Sequence, residues 1–148
     1  LKLLKLQISS VKHPKFLVLS ALSFQSMQKK SHNKWEAYFD NGREPSGLDV
    51  IEWAKKVESL GAGEIMLTSI DAEGTKKGFD INLNKAGSEV VSIPVISSGG
   101  AGNEEHISNL LNNTSVDAIA LASVLHYDLL SVGSIKQKLI NNKIKVRM

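Results

Sequence analysis

The chain of 148 residues contains no cysteine. This absence excludes disulfide bonds, thiolate metal ligands and a cysteine nucleophile. The four histidines are widely separated along the chain: His13, His32, His106 and His126. They lack the spacing of metal ligands, so we expect no metal site, and we assign no cofactor.

Long hydrophobic runs are also missing. No apolar run approaches the length of a membrane-spanning helix, and the first residues resemble neither a signal peptide nor a transit peptide. Aromatic residues make up only 5% of the chain, and no basic stripe is interleaved with them. Membrane and nucleic-acid partners are therefore not expected, and the predicted location is the cytoplasm. The chain begins with leucine, which suggests an incomplete protein.

The remaining composition is that of a globular protein. Apolar residues make up 42% and charged residues 22% of the chain, which is ordinary for one soluble domain. A length of 148 residues is enough for a real core, so residues 1–148 are treated as a single domain. The net charge of +3 suits an anionic small molecule.

Buried strands alternate with amphipathic helices along the chain. The predicted strands are 16–22, 64–70, 94–98 and 116–121. The predicted helices are 48–60, 80–91, one capped by Asn103, and 132–141. The turn signal DNG at 40–42 predicts a hairpin before the first of these helices, with segment 35–39 as one arm. Such alternation implies an α/β fold of parallel strands joined by right-handed crossovers.

The most informative segment is 93–102, IPVISSGGAG, which precedes the helix cap Asn103. A buried strand here ends in small residues at the start of a helix, where free backbone N–H groups and the positive end of the helix dipole favour a phosphate. Read structurally, Gly99 and Gly100 form only a tight turn, and Ser98 only caps a helix. On the residues alone, both readings stay open.

Small residues also follow the fourth strand, where Ala122 and Ser123 stand. Four strand–helix units form either a small open sheet or half of an eightfold barrel, which takes about 250 residues. Small residues at the strand ends favour the barrel, whose phosphate sites commonly lie after its seventh and eighth strands. The sequence therefore predicts a parallel (βα)4 half of a TIM (β/α)8 barrel.

Several motifs fall in a specific order and spacing. They are GAGEIMLTSID at 61–71, EGT at 73–75, GFD at 78–80, IPVISSGGAG at 93–102, and ASV at 122–124 with His126. Together they resemble one family, the cyclase subunit of imidazole glycerol phosphate synthase, of histidine biosynthesis. The resemblance runs from about residue 35 to 147 and covers the C-terminal half of that barrel, whereas residues 1–30 match poorly.

The resemblance implies a reaction and a set of site residues. Ammonia from a glutaminase subunit would convert a phosphoribulosyl-formimino carboxamide ribonucleotide to imidazole glycerol phosphate and aminoimidazole carboxamide ribotide. The positions implied to hold one substrate phosphate are Ser98, Gly99, Gly100, Ala122 and Ser123. Those implied to line the rest of the substrate site are Thr68, Gly74 and Thr75. The family's second phosphate site lies in its N-terminal half.

The sequence departs from the family in its acidic residues. The family's chemistry depends on an aspartate at the end of the first strand and another at the end of the fifth, which suit acid–base work. The second should fall near Ala21 or Leu22, yet the first acidic residue of this chain is Glu36. Glu73 stands where the family usually has an aspartate, and it is our one catalytic candidate, for proton transfer. The activity of the chain by itself is thus in question.

Three functions fit the sequence. The first is an enzyme half, a fragment or divergent copy of the cyclase. The second is a related paralogue that pairs with a glutaminase in surface-sugar modification. The third is a non-catalytic, phosphate-binding half-barrel that self-assembles, because the open strand edges of a lone half-barrel favour association. His106, His126 and both tryptophans are interpreted as structural residues.

Overall fold

Three parallel strands carry the candidate site at their C-terminal ends. The computed structural model describes residues 34–39 and 42–146. The strands are β1 (Glu36–Phe39), β2 (Glu44–Asp49), β3 (Ile65–Thr68), β4 (Val95–Ser98) and β5 (Ala118–Ala120). The helices are α1 (Val50–Ser59), α2 (Ile81–Val90), α3 (Glu104–Asn113), α4 (Ser123–His126) and α5 (Val132–Asn141).

The parallel sheet has the order β3–β4–β5. Thr68 pairs with Ser98, and Ser98 pairs with Ala120, so the three strands end level with one another. Residues in β3 and β4 alternate between buried and half-buried, because successive side chains point to opposite faces. The expected α/β fold with parallel strands is therefore confirmed.

The buried face of the sheet packs against amphipathic helices. Leu67 of β3 is 1% exposed, and Leu83 of α2 and Leu110 of α3 are fully buried. Apolar residues recur in these helices at a spacing that places them on one side, which is the reason that each helix covers the sheet. The sheet, α2 and α3 thus share one core.

Polar caps set where the helices begin. The side chain of Asp80 accepts a hydrogen bond from the backbone N–H of Leu83 at 2.9 Å, at the start of α2. Asn103 accepts one from the N–H of His106, also at 2.9 Å, at the start of α3. Each cap satisfies an N–H group that the helix itself leaves unpaired. The predicted cap at Asn103 is confirmed, and α5 has the predicted bounds 132–141.

An antiparallel hairpin precedes α1, as the DNG turn signal predicts. β1 pairs with β2, and Glu36 lies opposite Asp49. The indole Nε1 of Trp35 donates to Asp80 Oδ2 at 3.1 Å. This bond ties the base of the hairpin to the first turn of α2.

Other bounds differ from the sequence expectations. α1 begins at Val50 rather than at residue 48, since β2 continues to Asp49, which caps the helix. β5 spans only Ala118–Ala120 of the predicted 116–121. The short helix α4 was not predicted. The predicted strand 16–22 and the turn residues Asp40 and Asn41 lie outside the described residues.

Candidate phosphate-binding site

A pocket lies where β4 and β5 end. Its cavity volume is about 90 Å³. One water needs about 10–15 Å³ by this measure, so the pocket has room for a group with several oxygen atoms, such as a phosphate. The described residues that line it are Glu73, Ser98, Gly99, Gly100, Ala101, Ala120, Leu121, Ala122, Ser123 and Val124.

The pocket brings together most of the site residues expected from the sequence. Six of them line it: Glu73, Ser98, Gly99, Gly100, Ala122 and Ser123. Three do not line it: Thr68, Gly74 and Thr75. Thr68 is the register partner of Ser98 one strand away, while the Thr75 hydroxyl donates to the carbonyl of Ala72 at 2.8 Å and so fastens its own loop.

Four lining residues were missed by sequence reasoning: Ala101, Ala120, Leu121 and Val124. They carry no functional group that would single them out. The signal was their place in the chain, since each adjoins or lies within two residues of a position already assigned to the site. Backbone N–H groups and apolar walls are contributed by whatever residue occupies such a position.

The glycine turn after β4 has a geometry that only glycine satisfies. Gly99 has φ +90° and Gly100 has φ +105°, and both are buried. A Cβ atom on Gly100 would lie 2.1 Å from the carbonyl oxygen of Gly78, and one on Gly99 would lie 2.7 Å from that of Ser69. Because glycine has no side chain, the backbone of the β3–α2 loop can pack directly against this turn. The carbonyl of Gly100 accepts a hydrogen bond from Gly78 N–H at 2.8 Å.

The opposite wall is the start of α4. Its N-cap residue is Ala122, which has no side chain able to cap the helix. The N–H groups of Leu125 and His126 donate to the Ala122 carbonyl. Ser123 and Val124 line the pocket, and the first N–H groups of a helix have no acceptor within it.

The pocket does not extend to the start of α3, the helix that follows the glycine turn. The expected seat for a phosphate was the helix that follows the glycine turn. There, however, Asn103 already caps the helix, and Gly102 N–H donates to Nδ1 of His106 at 3.2 Å. In this segment the last residue that lines the pocket is Ala101. The pocket is therefore bounded by the start of α4 and not by that of α3.

Neither His106 nor His126 lines the pocket. His106 accepts the Gly102 bond through Nδ1, which requires the tautomer protonated on Nε2. The ring of His126 packs edge-on against that of Tyr127, with 5.1 Å between the ring centroids. Among residues 34–39 and 42–146, no group of three His, Asp or Glu side chains could hold a metal ion.

The chemistry of the pocket is that of an oxyanion site beside a carboxylate. Two serine hydroxyls and backbone N–H groups can donate to phosphate oxygens. Glu73 is the one charged residue among the described lining residues. Its backbone N–H donates to the carbonyl of Ser69 at 2.9 Å, which fixes the loop that carries it. A carboxylate at this position can accept a proton or a hydroxyl hydrogen bond from a bound molecule.

No helix in the part of the chain that the structure describes is long and apolar enough to cross a membrane.

Comparisons with known proteins agree with the motifs. A family model described as "Histidine biosynthesis protein" matches residues 11–131. The chain is 43% identical over 148 aligned positions to "Imidazole glycerol phosphate synthase subunit HisF" of Bacillus cereus strain ATCC 10987 / NRS 248, and equally to that of strain Q1. Each alignment covers 95% of this chain and 59% of the relative, so the chain spans about three fifths of the length of these curated relatives. The resemblance derived from the motifs is confirmed, and the chain belongs to the histidine biosynthesis protein family.

Proposed function

We propose that the pocket binds the phosphate of a phosphorylated ribonucleotide. One observation carries the proposal: residues from two separate loops, Ser98–Gly100 and Ala122–Ser123, meet around a single cavity. Both loops follow neighbouring parallel strands at the same end of the sheet. In barrel enzymes, phosphates commonly bind between the loops after two neighbouring strands and the start of a short extra helix, and the short helix α4 follows β5 here.

The reaction that we propose follows from the relatives named as synthase subunits. The chain would take part in the ammonia-dependent cyclisation and cleavage of a phosphoribulosyl-formimino carboxamide ribonucleotide, as a lyase. Glu73 would serve proton transfer, since its carboxylate faces the same cavity as the phosphate site. Thr68, Gly74 and Thr75 would meet parts of the substrate beyond the phosphate. The relatives' names favour this reaction over the surface-sugar paralogue.

The architecture that we propose is that of an eightfold barrel of which this chain supplies the C-terminal units. The parallel order of β3, β4 and β5 supports it. A glutaminase subunit would deliver ammonia to the assembled enzyme. Because the chain contains no Asp or Glu before Glu36, we expect the 148-residue chain to bind phosphate without turning over the nucleotide.

A charge placed in the pocket tests the proposal. Ala122 is exposed and already carries a Cβ atom at a φ of −122°, so Ala122→Asp does not face the positive-φ strain of the neighbouring glycines. A carboxylate and a phosphate charge ~5 Å apart repel by about 3 kcal/mol at an effective dielectric constant of about 20, so binding of inorganic phosphate should weaken by more than about tenfold. Chemical shifts of backbone amides during a phosphate titration give the dissociation constant.

Asn112→Asp is the matched control. It makes the same change in net charge at an exposed position near the C-terminal end of α3, away from the lining residues. It should leave phosphate binding within about twofold, since charges separated by more than the Debye length are screened. Equal binding by wild type and Ala122→Asp would refute the site. Gly100→Asp is unsuitable, because its Cβ would collide with Gly78.

The proposed ligand class has its own test. Imidazole glycerol phosphate should displace inorganic phosphate in the same titration, whereas the same molecule without its phosphate should not. If both compounds displaced phosphate equally well, the phosphate would not be the group that the pocket recognises. Product formation from the nucleotide and ammonium ions by the chain alone would contradict the expected lack of turnover.

A further inference from the structure

The described lining of the pocket lacks a positive charge. It contains no lysine, arginine or histidine, whereas it contains the carboxylate of Glu73. A phosphate ester carries up to two negative charges near neutral pH. A phosphate bound here would meet neutral donors and the like charge of Glu73, so a cation from outside the lining would strengthen its binding.

Lys76 is a cation in the same loop as the lining residue Glu73. It follows Glu73 by three residues in the β3–α2 loop. Its Nζ lies 4.8 Å from the centroid of the Tyr127 ring. Tyr127 directly follows α4, and its N–H donates to the carbonyl of Ser123 at 3.0 Å. The lysine side chain therefore reaches from one loop at the pocket to the segment that forms the opposite wall.

The backbone of Lys76 lies close to Gly102, which follows the glycine turn. Lys76 has φ +58°, which is uncommon for a residue with a side chain. A Cβ on Gly102 would lie 2.1 Å from the Lys76 carbonyl oxygen. Lys76 thus contacts the segments that follow both β4 and β5. Strained backbone conformations of this kind are enriched at binding sites, where the surrounding fold enforces them.

The ammonium group itself is free to change partner. Tyr127 is 62% exposed, and a cation over an exposed aromatic ring is held weakly. A phosphate dianion is a stronger partner, because hydrogen bonds between two charged groups exceed those to neutral acceptors. Lysine suits this role, since its compact charge sits on a flexible stem.

We propose that Lys76 is the cation of the phosphate site, held over the Tyr127 ring in the free protein and transferred to the phosphate of a bound monoester. This proposal rests on the phosphate site proposed above. It makes the β3–α2 loop a determinant of specificity for dianionic phosphate esters over neutral sugars.

Substitution of two neighbouring lysines tests the proposal. In the full 148-residue chain, inorganic phosphate is titrated against wild type, Lys76→Met, Lys76→Arg and Lys77→Met. Lys76→Met should weaken binding about fivefold to tenfold, because it removes a charge-assisted hydrogen bond. Lys76→Arg should restore most of the affinity. Lys77→Met removes the same net charge but leaves the Lys76 ammonium over the Tyr127 ring in place, so it should change the affinity less than Lys76→Met does.

The possible outcomes distinguish the role of Lys76 from the existence of the phosphate site. Every Lys76 variant keeps the same backbone strain, so thermal unfolding midpoints close to wild type show that folding is not the cause of weaker binding. Equal affinities for Lys76→Met and Lys77→Met would overturn the role of Lys76 and leave the phosphate site standing. No binding by wild type at millimolar phosphate would overturn the phosphate site, and the role of Lys76 with it.

Discussion

Gly100 is needed for two physical reasons, its positive φ and the close approach of the Gly78 backbone. Replacement of Gly100 by alanine would test both. The new Cβ would lie 2.1 Å from the Gly78 carbonyl oxygen and 2.7 Å from its carbonyl carbon. Backbone groups cannot swing aside as a side chain can, so the β3–α2 loop must shift. A φ of +105° adds strain of about 1–2 kcal/mol for a residue with a side chain, and overpacking adds about 1–3 kcal/mol. The expected loss in the free energy of unfolding is therefore about 2–5 kcal/mol.

Gly61→Ala is the control for the strain alone. Gly61 has φ +93°, close to that of Gly100, but nothing lies within 4 Å of the place that a Cβ atom would take. We expect it to lose only about 1–2 kcal/mol. At a denaturant slope of about 2 kcal/mol/M, urea midpoints should fall by about 1–2.5 M for Gly100→Ala and about 0.5–1 M for Gly61→Ala. Equal midpoint shifts would refute the argument that the close approach of Gly78 makes Gly100 necessary.

Two further substitutions test contacts away from the pocket. Ser97 is fully buried, and within the described residues its hydroxyl has no hydrogen-bond partner; Ser97→Ala should therefore leave the urea midpoint unchanged or raise it, and a clear loss would reveal a partner such as a buried water. Hydrogen bonds from the Ser92 side chain and backbone lower the pKa of Glu58. A lowered pKa in the folded state stabilises the protein above the ordinary glutamate value of about 4.3 and ceases to do so as the pH falls through the lowered pKa. Glu58→Gln should consequently reduce stability near neutral pH, and urea unfolding at a series of pH values should show the difference from wild type vanish in acid; a difference independent of pH would contradict this.

Helix ends were predictable where the chain carries a local chemical signal. Asn103 and Asp80 cap α3 and α2 through their own side chains, and such side chains can be recognised without knowledge of the rest of the fold. The missed helix α4 has the opposite character. It contains four residues and begins after Ala122, which gives neither a cap nor enough length for a periodic pattern.

The sequence predicted the presence of a strand more reliably than the residues at which it begins and ends. The apolar run 116–121 correctly indicates β5, but Asp117 does not belong to the strand. Its carboxylate accepts a hydrogen bond from Val95 N–H at 2.9 Å. That contact spans 22 positions in the sequence, so an inspection of neighbouring residues could not reveal it.

The residues that line the pocket were predictable in part, and their arrangement was less so. Small residues after two consecutive parallel strands indicated one cavity, since parallel strands deliver their ends to the same edge of a sheet. The sequence did not show which part of the chain packs against the two glycines. Gly99 and Gly100 face the β3–α2 loop, and only the three-dimensional path of that loop shows this.

The bond between Trp35 and Asp80 gives the hairpin a natural optical reporter. Trp35 is 9% exposed, and its indole is hydrogen-bonded to the residue that caps α2. If the hairpin separated from α2, the indole would enter water and its fluorescence would shift to longer wavelength. The other tryptophan, Trp53, lies on α1 and is half-buried. A Trp53→Phe variant would therefore isolate the signal of the hairpin and follow its docking in real time, without an added dye.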